Sequence, residues 1–374
     1  MMTIPAAALA AMLLLLPLIL LARRIGLVDA PGGRKRHVGN VPLVGGLAIY
    51  LSLVAIGASA GVIVSAPALL FAGLAGLAVA AGLIDDLWRL PAWAKLAWQF
   101  AIAMSAVICG GPALGEAGAL FEPQLGLHGI GLGAVGPLAS VFAYVAIMNA
   151  TNLLDGADGL AGGVGTVVLG AVLLLSQQGG LADAGLCALE LGAVAGFLCF
   201  NLPLPWRRRP IVFLGDAGSM LIGFSLAWFS LDLHRSAPQF PAAAFLWLLA
   251  LPVLDMARVA CGRMLRGESP FTAGRDHLHH LLLDRGLPAG TVALVMIGAS
   301  AALAGVAVIA AERGASNAAL LGALMLLCFA YAGSVVKLRG GAADLRHAPE
   351  PAGAAREGET AARPQPSRRL SRAA

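Results

Sequence analysis

Charge is scarce in this chain of 374 residues. Asp, Glu, Lys and Arg together make up 12%, about half the share that soluble domains carry. With 59% hydrophobic residues and a mean hydropathy of +0.84, a globule solvated by water is excluded as the main architecture. Cysteine is also sparse. Cys109, Cys187, Cys199, Cys261 and Cys328 stand singly in or beside apolar runs, which excludes a disulfide framework and a cysteine-based metal centre. The chain has no His-Glu-x-x-His, so a zinc protease of that type finds no support. No internal repeat and no separate basic domain are visible. The formal net charge of +5 comes from residues beside apolar runs, where the positive-inside rule already accounts for them. Nucleic acid is therefore not expected as a partner.

What is present is a succession of about eleven apolar stretches near the 20 residues that a bilayer crossing needs. They run approximately Ile4–Leu21, Val41–Ser65, Leu69–Ile84, Leu96–Gly110, Leu132–Met148, Leu160–Ser176, Leu186–Phe200, Ile211–Ser230, Pro241–Ala257, Thr291–Ala310 and Ala318–Val335. The expected fold class is all-α: a polytopic transmembrane bundle of about 11 helices with Gly and Ala at the helix contacts. The first stretch lacks a basic region before it and has Arg23 and Arg24 after it, the pattern of a retained anchor rather than a cleaved signal. With Met1 in the periplasm, Arg34, Lys35, Arg36, Arg89, Lys95, Arg207 to Arg209, Arg258, Arg263, Arg266, Arg275 and Arg285 share one side, and only Arg235 and Arg313 face the other. That side is read as cytoplasmic, with the C-terminus inside. Residues 1–336 are expected to form the membrane domain. Residues 337–374, rich in Pro, Ala, Gly, Glu and Arg, bury too little to fold alone and are expected to be a disordered basic tail.

The polar residues cluster in the loops on the Arg-rich side. After the third stretch stands Asp85-Asp86-Leu-Trp-Arg89-Leu-Pro91-Ala-Trp-Ala-Lys95. Adjacent carboxylates at a membrane boundary must be hydrated, paired or bound to metal. They could hold Mg²⁺, or simply form a solvated ion pair with Lys95. The fifth stretch ends in Asn149, Asn152, Asp155 and Asp158 at every third position, followed by glycines that let backbone approach a ligand. A polar helix cap is the plainer alternative. The eighth opens with Phe213-Leu-Gly-Asp216-Ala-Gly-Ser219, where a lone intramembrane Asp reads first as functional and second as a cap. The longest loop holds Asp255, Arg258, Arg263, Arg266, Arg275, His277, His279 and His280. Arginine forks and histidines there suit anionic oxygens, and zinc is the weaker reading. Arg36 and His37, in the first loop, serve either phosphate binding or plain anchoring. Acidic residues suited to Mg²⁺ and basic residues suited to polyphosphate thus meet at one membrane face, as phosphoryl transfer to a lipid requires.

At these residues the sequence resembles the polyprenyl-phosphate N-acetylhexosamine-1-phosphate transferase family, particularly the bacterial members that use undecaprenyl phosphate and UDP-GlcNAc. The likeness runs in order from about Asp29 to Gly286, through the Arg-Lys-Arg-His loop, the Asp-Asp loop, Asn-x-x-Asn-x-x-Asp-Gly-x-Asp-Gly-Leu, Phe-Leu-Gly-Asp-x-Gly-Ser and Ser-Pro-Phe leading to His-x-His-His. The branch using UDP-MurNAc-pentapeptide typically has three consecutive histidines, which Leu278 interrupts here. The resemblance implies Mg²⁺, replaceable by Mn²⁺, held by Asp216 with Asp85 and Asp86 beside it. It implies that Asn152, Asp155 and Asp158 border the nucleotide, with Asn149 and Lys95 close by. It further implies that His277, His279, His280, Arg263 and Arg275 hold the sugar-phosphate end. The implied partners are undecaprenyl phosphate, a UDP-N-acetylamino sugar and membrane lipid, and a homodimer is compatible with the sequence. UDP-GalNAc or a deoxy amino sugar stays open as substrate. An ion-coupled transporter is the competing class, for which the polar residues should lie at the bilayer midplane.

Overall fold

The computed structural model describes residues 3–30, 39–115, 133, 135–181, 183–203, 207, 209–270 and 274–346. Arg36 and His37 lie outside the described residues. The fold is helical, with thirteen helices among the described residues: α1 (Thr3–Ile25), α2 (Gly45–Ser59), α3 (Ala66–Trp88), α4 (Ala92–Ile108), α5 (Val135–Leu154), α6 (Leu160–Gly179), α7 (Ala184–Asn201), α8 (Gly215–Ser236), α9 (Ala242–Leu248), α10 (Ala250–Leu265), α11 (Leu278–Asp284), α12 (Ala289–Glu312) and α13 (Asn317–Arg346). A short antiparallel pair, β1 (Val28–Asp29) with β2 (Val41–Pro42), closes the first loop.

Each expected apolar stretch contains a helix. Among the described residues seven helices are long and apolar enough to cross a membrane, or eight if the bent α9–α10 pair is one span, so this is a multi-pass membrane protein. The shorter α2 and α4 are apolar, and α8 is buried along almost its whole length. Two expectations change. The ninth stretch is not one straight span but is bent by 77° between α9 and α10. Pro252 explains the break: lacking an N–H, it leaves the Leu248 carbonyl without a helical donor, and it suits the first turn of a restarted helix. At the other end α13 runs to Arg346, past the Lys337 expected to open the tail. Lys337, Leu338, Arg339, Ala342 and Ala343 favour helix well enough to extend a ladder already nucleated.

Helix α8 is the axis of the bundle and touches α2, α3, α5 and α6. Lipid gives helices no hydrophobic reason to associate, so close van der Waals fit must hold them together. Glycines supply it. A Cβ on Gly46 of α2 would come 2.1 Å from the backbone nitrogen of Gly218, and one on Gly82 of α3 would come 2.3 Å from Cα of Ala217. Towards the other end of α8 the fit is aromatic. The Phe71 ring lies 5.7, 5.4 and 5.0 Å from those of Phe224, Trp228 and Phe229. Tight contacts with glycine thus fix the first turn of α8 against α2 and α3, and that turn carries Asp216.

Candidate active site at the start of helix α8

The α3–α4 junction is built to bring its acids and its lysine together. Ser65 caps α3 by accepting from the Ala68 amide at 3.2 Å. At its far end Arg89 turns left-handed (φ 51°), and the Asp85 side chain accepts from the Leu90 amide at 2.7 Å. Pro91 then starts α4, and one turn later Lys95 folds back onto the acids. Its ammonium pairs with Asp85 and lies 3.2 Å from Asp216.

Asp86 has a different task. Its carboxylate accepts from the Asp216 and Ala217 amides at 3.0 and 3.3 Å, so α3 supplies the N-terminal cap of α8. This satisfies orphan amides and sets a negative charge at the positive end of the helix. Gly215 makes the approach possible: its φ is +74°, and a Cβ there would stand 2.6 Å from the Asp86 carboxylate.

The end of α5 completes this side. The Asn152 amide donates to Asp216 at 2.5 Å and to Ser219 at 2.8 Å. Asn149 lies one turn earlier, half-buried. Asp155 and Asp158 fall in the turn before α6 rather than on a continued helix. Asp155 is solvent-accessible as a residue, while the protein gathered around its carboxyl withdraws that group from bulk water. That burial, reinforced by repulsion from Asp216, Asp86 and Asp158, holds its pKa well above the usual carboxylate range. The turn is clamped from behind by buried Asn201, which accepts from the Gly159 amide at 2.7 Å and donates to the Val212 carbonyl at 2.8 Å.

The histidine segment meets the same turn. His279 is 1% exposed and packs on Gly156, where a Cβ would be 2.2 Å from its Nε2. Neither of its ring nitrogens has a hydrogen-bond partner among the described residues. Burial, with His280, His277 and Arg275 nearby, pushes its pKa down to about 3, and burial with Arg275 and His277 pushes that of His280 down to about 4. Both rings are therefore neutral at pH 7. The His279 and His280 ring centroids are 4.1 Å apart.

The two arginines expected at the sugar-phosphate end are already engaged. Arg263 is buried, pairs with Asp276 at 3.2 Å and donates to the Pro270 carbonyl at 2.9 Å. Arg275 pairs with Asp284 at 2.8 Å and is half-buried. Sequence reasoning named Asp255 in the longest loop without giving it a role, and passed over Tyr331 and Asn201. Asp255 stands in an apolar run, Leu-Pro-Val-Leu-Asp-Met-Ala, and the rule that singled out Asp216 applies to it equally.

Among the described residues no three His, Cys, Asp or Glu side chains converge as a ready-made metal cage. The acids still fit a divalent cation. The Lys95 ammonium marks a point where Asp85 and Asp216 both favour positive charge, and Mg²⁺ commonly takes one or two carboxylates together with substrate phosphate oxygens.

Fold and site together define a class: a multi-pass membrane protein with hard-oxygen ligands, one ammonium and a histidine segment at one end of its central helix. Residues 68–234 match glycosyl transferase family 4. The chain is 33% identical over 321 residues to the undecaprenyl-phosphate alpha-N-acetylglucosaminyl 1-phosphate transferase of Escherichia coli (strain K12), spanning 84% of this chain and 85% of the relative. Proteins of the same name from Yersinia pestis (33% over 323 residues; 84% and 86%) and Haemophilus influenzae (32% over 319 residues; 84% and 88%) are similar over the same extent. The chain belongs to this family of transferases.

Proposed function

We propose that the protein transfers GlcNAc-1-phosphate from UDP-GlcNAc to undecaprenyl phosphate, giving undecaprenyl-diphosphate-GlcNAc and UMP. It would act in the bacterial inner membrane, with the site on the cytoplasmic face, as the first membrane step of a cell-surface glycan. The observation that carries this reading is the meeting of Asp85, Asp86, Lys95, Asn152 and Asp155 around Asp216 at one end of α8. Polar groups at a helix end, rather than at midspan, favour transfer at a membrane face over ion transport.

In the reaction an oxygen of the lipid phosphate bonds to the β-phosphorus of the sugar nucleotide, and the bond from that phosphorus to the UMP oxygen breaks. A phosphate monoester has its second pKa near 6, so the attacking group is largely ionised without a base. Charge neutralisation and alignment are the main tasks left to the protein. Lys95 offers a cation beside Asp216. Asn152 fixes the Asp216 carboxylate, and Asp86 fixes the backbone beneath it. Asp155 and Asp158 border the nucleotide, and His277 and His280 with Arg275 face the sugar-phosphate end. Arg263 serves as scaffold to that loop rather than as a ligand. Mg²⁺, held by Asp216 and Asp85 with substrate oxygens, would draw charge from the diphosphate, and Mn²⁺ would substitute.

The test is an assay of purified protein with undecaprenyl phosphate and a panel of UDP-amino sugars. UDP-GlcNAc should give lipid-linked GlcNAc and equimolar UMP, and excess EDTA should stop the reaction. A preference for UDP-GalNAc would correct the sugar, while no lipid product from any donor would sink the reading.

A further inference from the structure

Asp255 gathers donors from three parts of the chain. It lies on α10 just beyond the bend and is 1% exposed. Its Oδ1 accepts from the Leu278 amide at 3.1 Å, from Arg258 Nη2 at 2.9 Å and from the Tyr331 hydroxyl at 2.5 Å. Its Oδ2 lies 2.8 Å from His277 Nδ1. Arg258 also donates to the Asp276 carbonyl at 2.6 Å, and its guanidinium lies 5.5 Å from the centre of the Tyr331 ring. The backbone on both sides of His277 is thus tied to one carboxylate and its arginine.

An ionised carboxylate only accepts, so Nδ1 of His277 carries a proton, and whenever the ring is neutral Nε2 is its acceptor. We propose that Asp255 is a positioning residue that fixes the tautomer and orientation of His277, and that Tyr331 completes the arrangement from the last membrane helix. The inference rests on the reading above, in which the histidine segment serves phosphoryl transfer. It adds a link to α13, a helix beyond both the matched residues 68–234 and the motifs.

Asp255→Asn tests the link sharply. The amide oxygen should stay where three donors already meet, which turns the amide NH₂ towards His277 Nδ1. His277 must then accept at Nδ1 and carry its proton on Nε2, the opposite tautomer, in nearly unchanged volume. Loss of a carboxylate behind a working histidine typically costs roughly 10- to 100-fold, and here it should appear in kcat with KM for UDP-GlcNAc little changed. The decisive measurement is a double-mutant cycle. In a His277→Ala background, Asp255→Asn should cost no further turnover, because the residue through which it acts is gone. A purely architectural Asp255 would add its full cost there, and such additivity would overturn the proposal.

Tyr331→Phe, which removes one donor and no volume to speak of, should lower kcat a few-fold in the parent and not at all beside His277→Ala. It makes the same test should Asp255→Asn fail to accumulate in the membrane. Parental turnover by His277→Ala would remove the histidine on which the proposal rests. Absence of lipid product from the parent protein would instead remove the reaction itself.

Discussion

Helix α8 carries buried or half-buried acid at both of its ends, and the two ends treat it oppositely. At the far end Asp232 and Asp183 are buried, and their partners come from the protein: Arg235 donates to Asp232 at 2.8 Å and Trp228 to Asp183 at 3.4 Å. At the near end Asp85, Asp86, Asp155 and Asp216 gather, with Lys95 paired to Asp85 and Asp216, and Asp155 is accessible to solvent. An acid whose partners lie within the fold is architecture. A gathering of acids opening on solvent invites a cation or an anion–metal complex from outside. Intramembrane carboxylate alone therefore does not mark the site; the number of acids brought together and their access to solvent do.

The hardest test of this contrast exchanges charge for amide at each end. Asp216→Asn should lower turnover by about 100-fold or more while the protein still inserts and purifies as a folded species. Asp232→Asn should leave turnover per folded molecule near the parent. Activity assays paired with size-exclusion profiles check both. Equal losses at the two ends would dissolve the distinction.

A smaller effect should follow from a single methyl group. Gly156→Ala puts a Cβ where His279 Nε2 now lies, 2.2 Å away, and the ring can yield only by turning within a buried site. Turnover should fall about ten-fold, the size of one misplaced contact, with thermal stability nearly unchanged because the turn itself is open to solvent. Unaltered turnover in Gly156→Ala would mean that the histidine segment and the aspartate turn work independently.

Much of the fold was legible because lipid leaves few alternatives to an apolar helix, and each apolar run contains one, the ninth in two pieces. The bend at Leu249 was written in Pro252, but a proline three residues into a new helix and one inside a kinked span look alike until packing selects between them. The Asp-Asp loop and Asp216 were equally visible, since charge in a hydrophobic run is conspicuous. Their division of labour was not. Asp86 caps a helix 130 residues away and Lys95 reaches Asp216 across 121, links that no local spacing encodes. The pairing of Asp255 with His277 likewise depends on α10 turning back after the bend.

The neutral histidines predict how the near end responds to acid. His279 has its pKa lowered from 6.5 to about 3, so between those values the unfolded chain binds a proton that the folded chain refuses. Stability is then fully present above about pH 6.5 and declines as pH falls from there towards 3. Thermal melts in detergent should show a midpoint that drops from pH 6.5 to 5. In His279→Asn the dependence should be shallower by up to about 1.4 kcal/mol per pH unit. A slope identical to that of the parent would show that this ring is not held neutral by burial.

The smallest effect on turnover belongs to the far end, in Arg235→Ala. Arg235 is half exposed at its side chain whereas Asp232 is not, so removing the arginine strands a buried carboxylate, and removing the aspartate merely returns the arginine to water. The arginine variant should therefore melt lower than Asp232→Asn, by the few degrees that separate an uncompensated buried charge from a neutral amide. Its kcat and KM for UDP-GlcNAc should match the parent, because the far end is separated from the site by the length of α8, whose packing is set by Phe71, Phe224, Trp228 and Phe229. Scanning fluorimetry together with initial-rate kinetics reads both quantities in one preparation. A drop in kcat without a drop in melting temperature would show that charge at the far end reaches the site, and the two ends would have to be treated as one device.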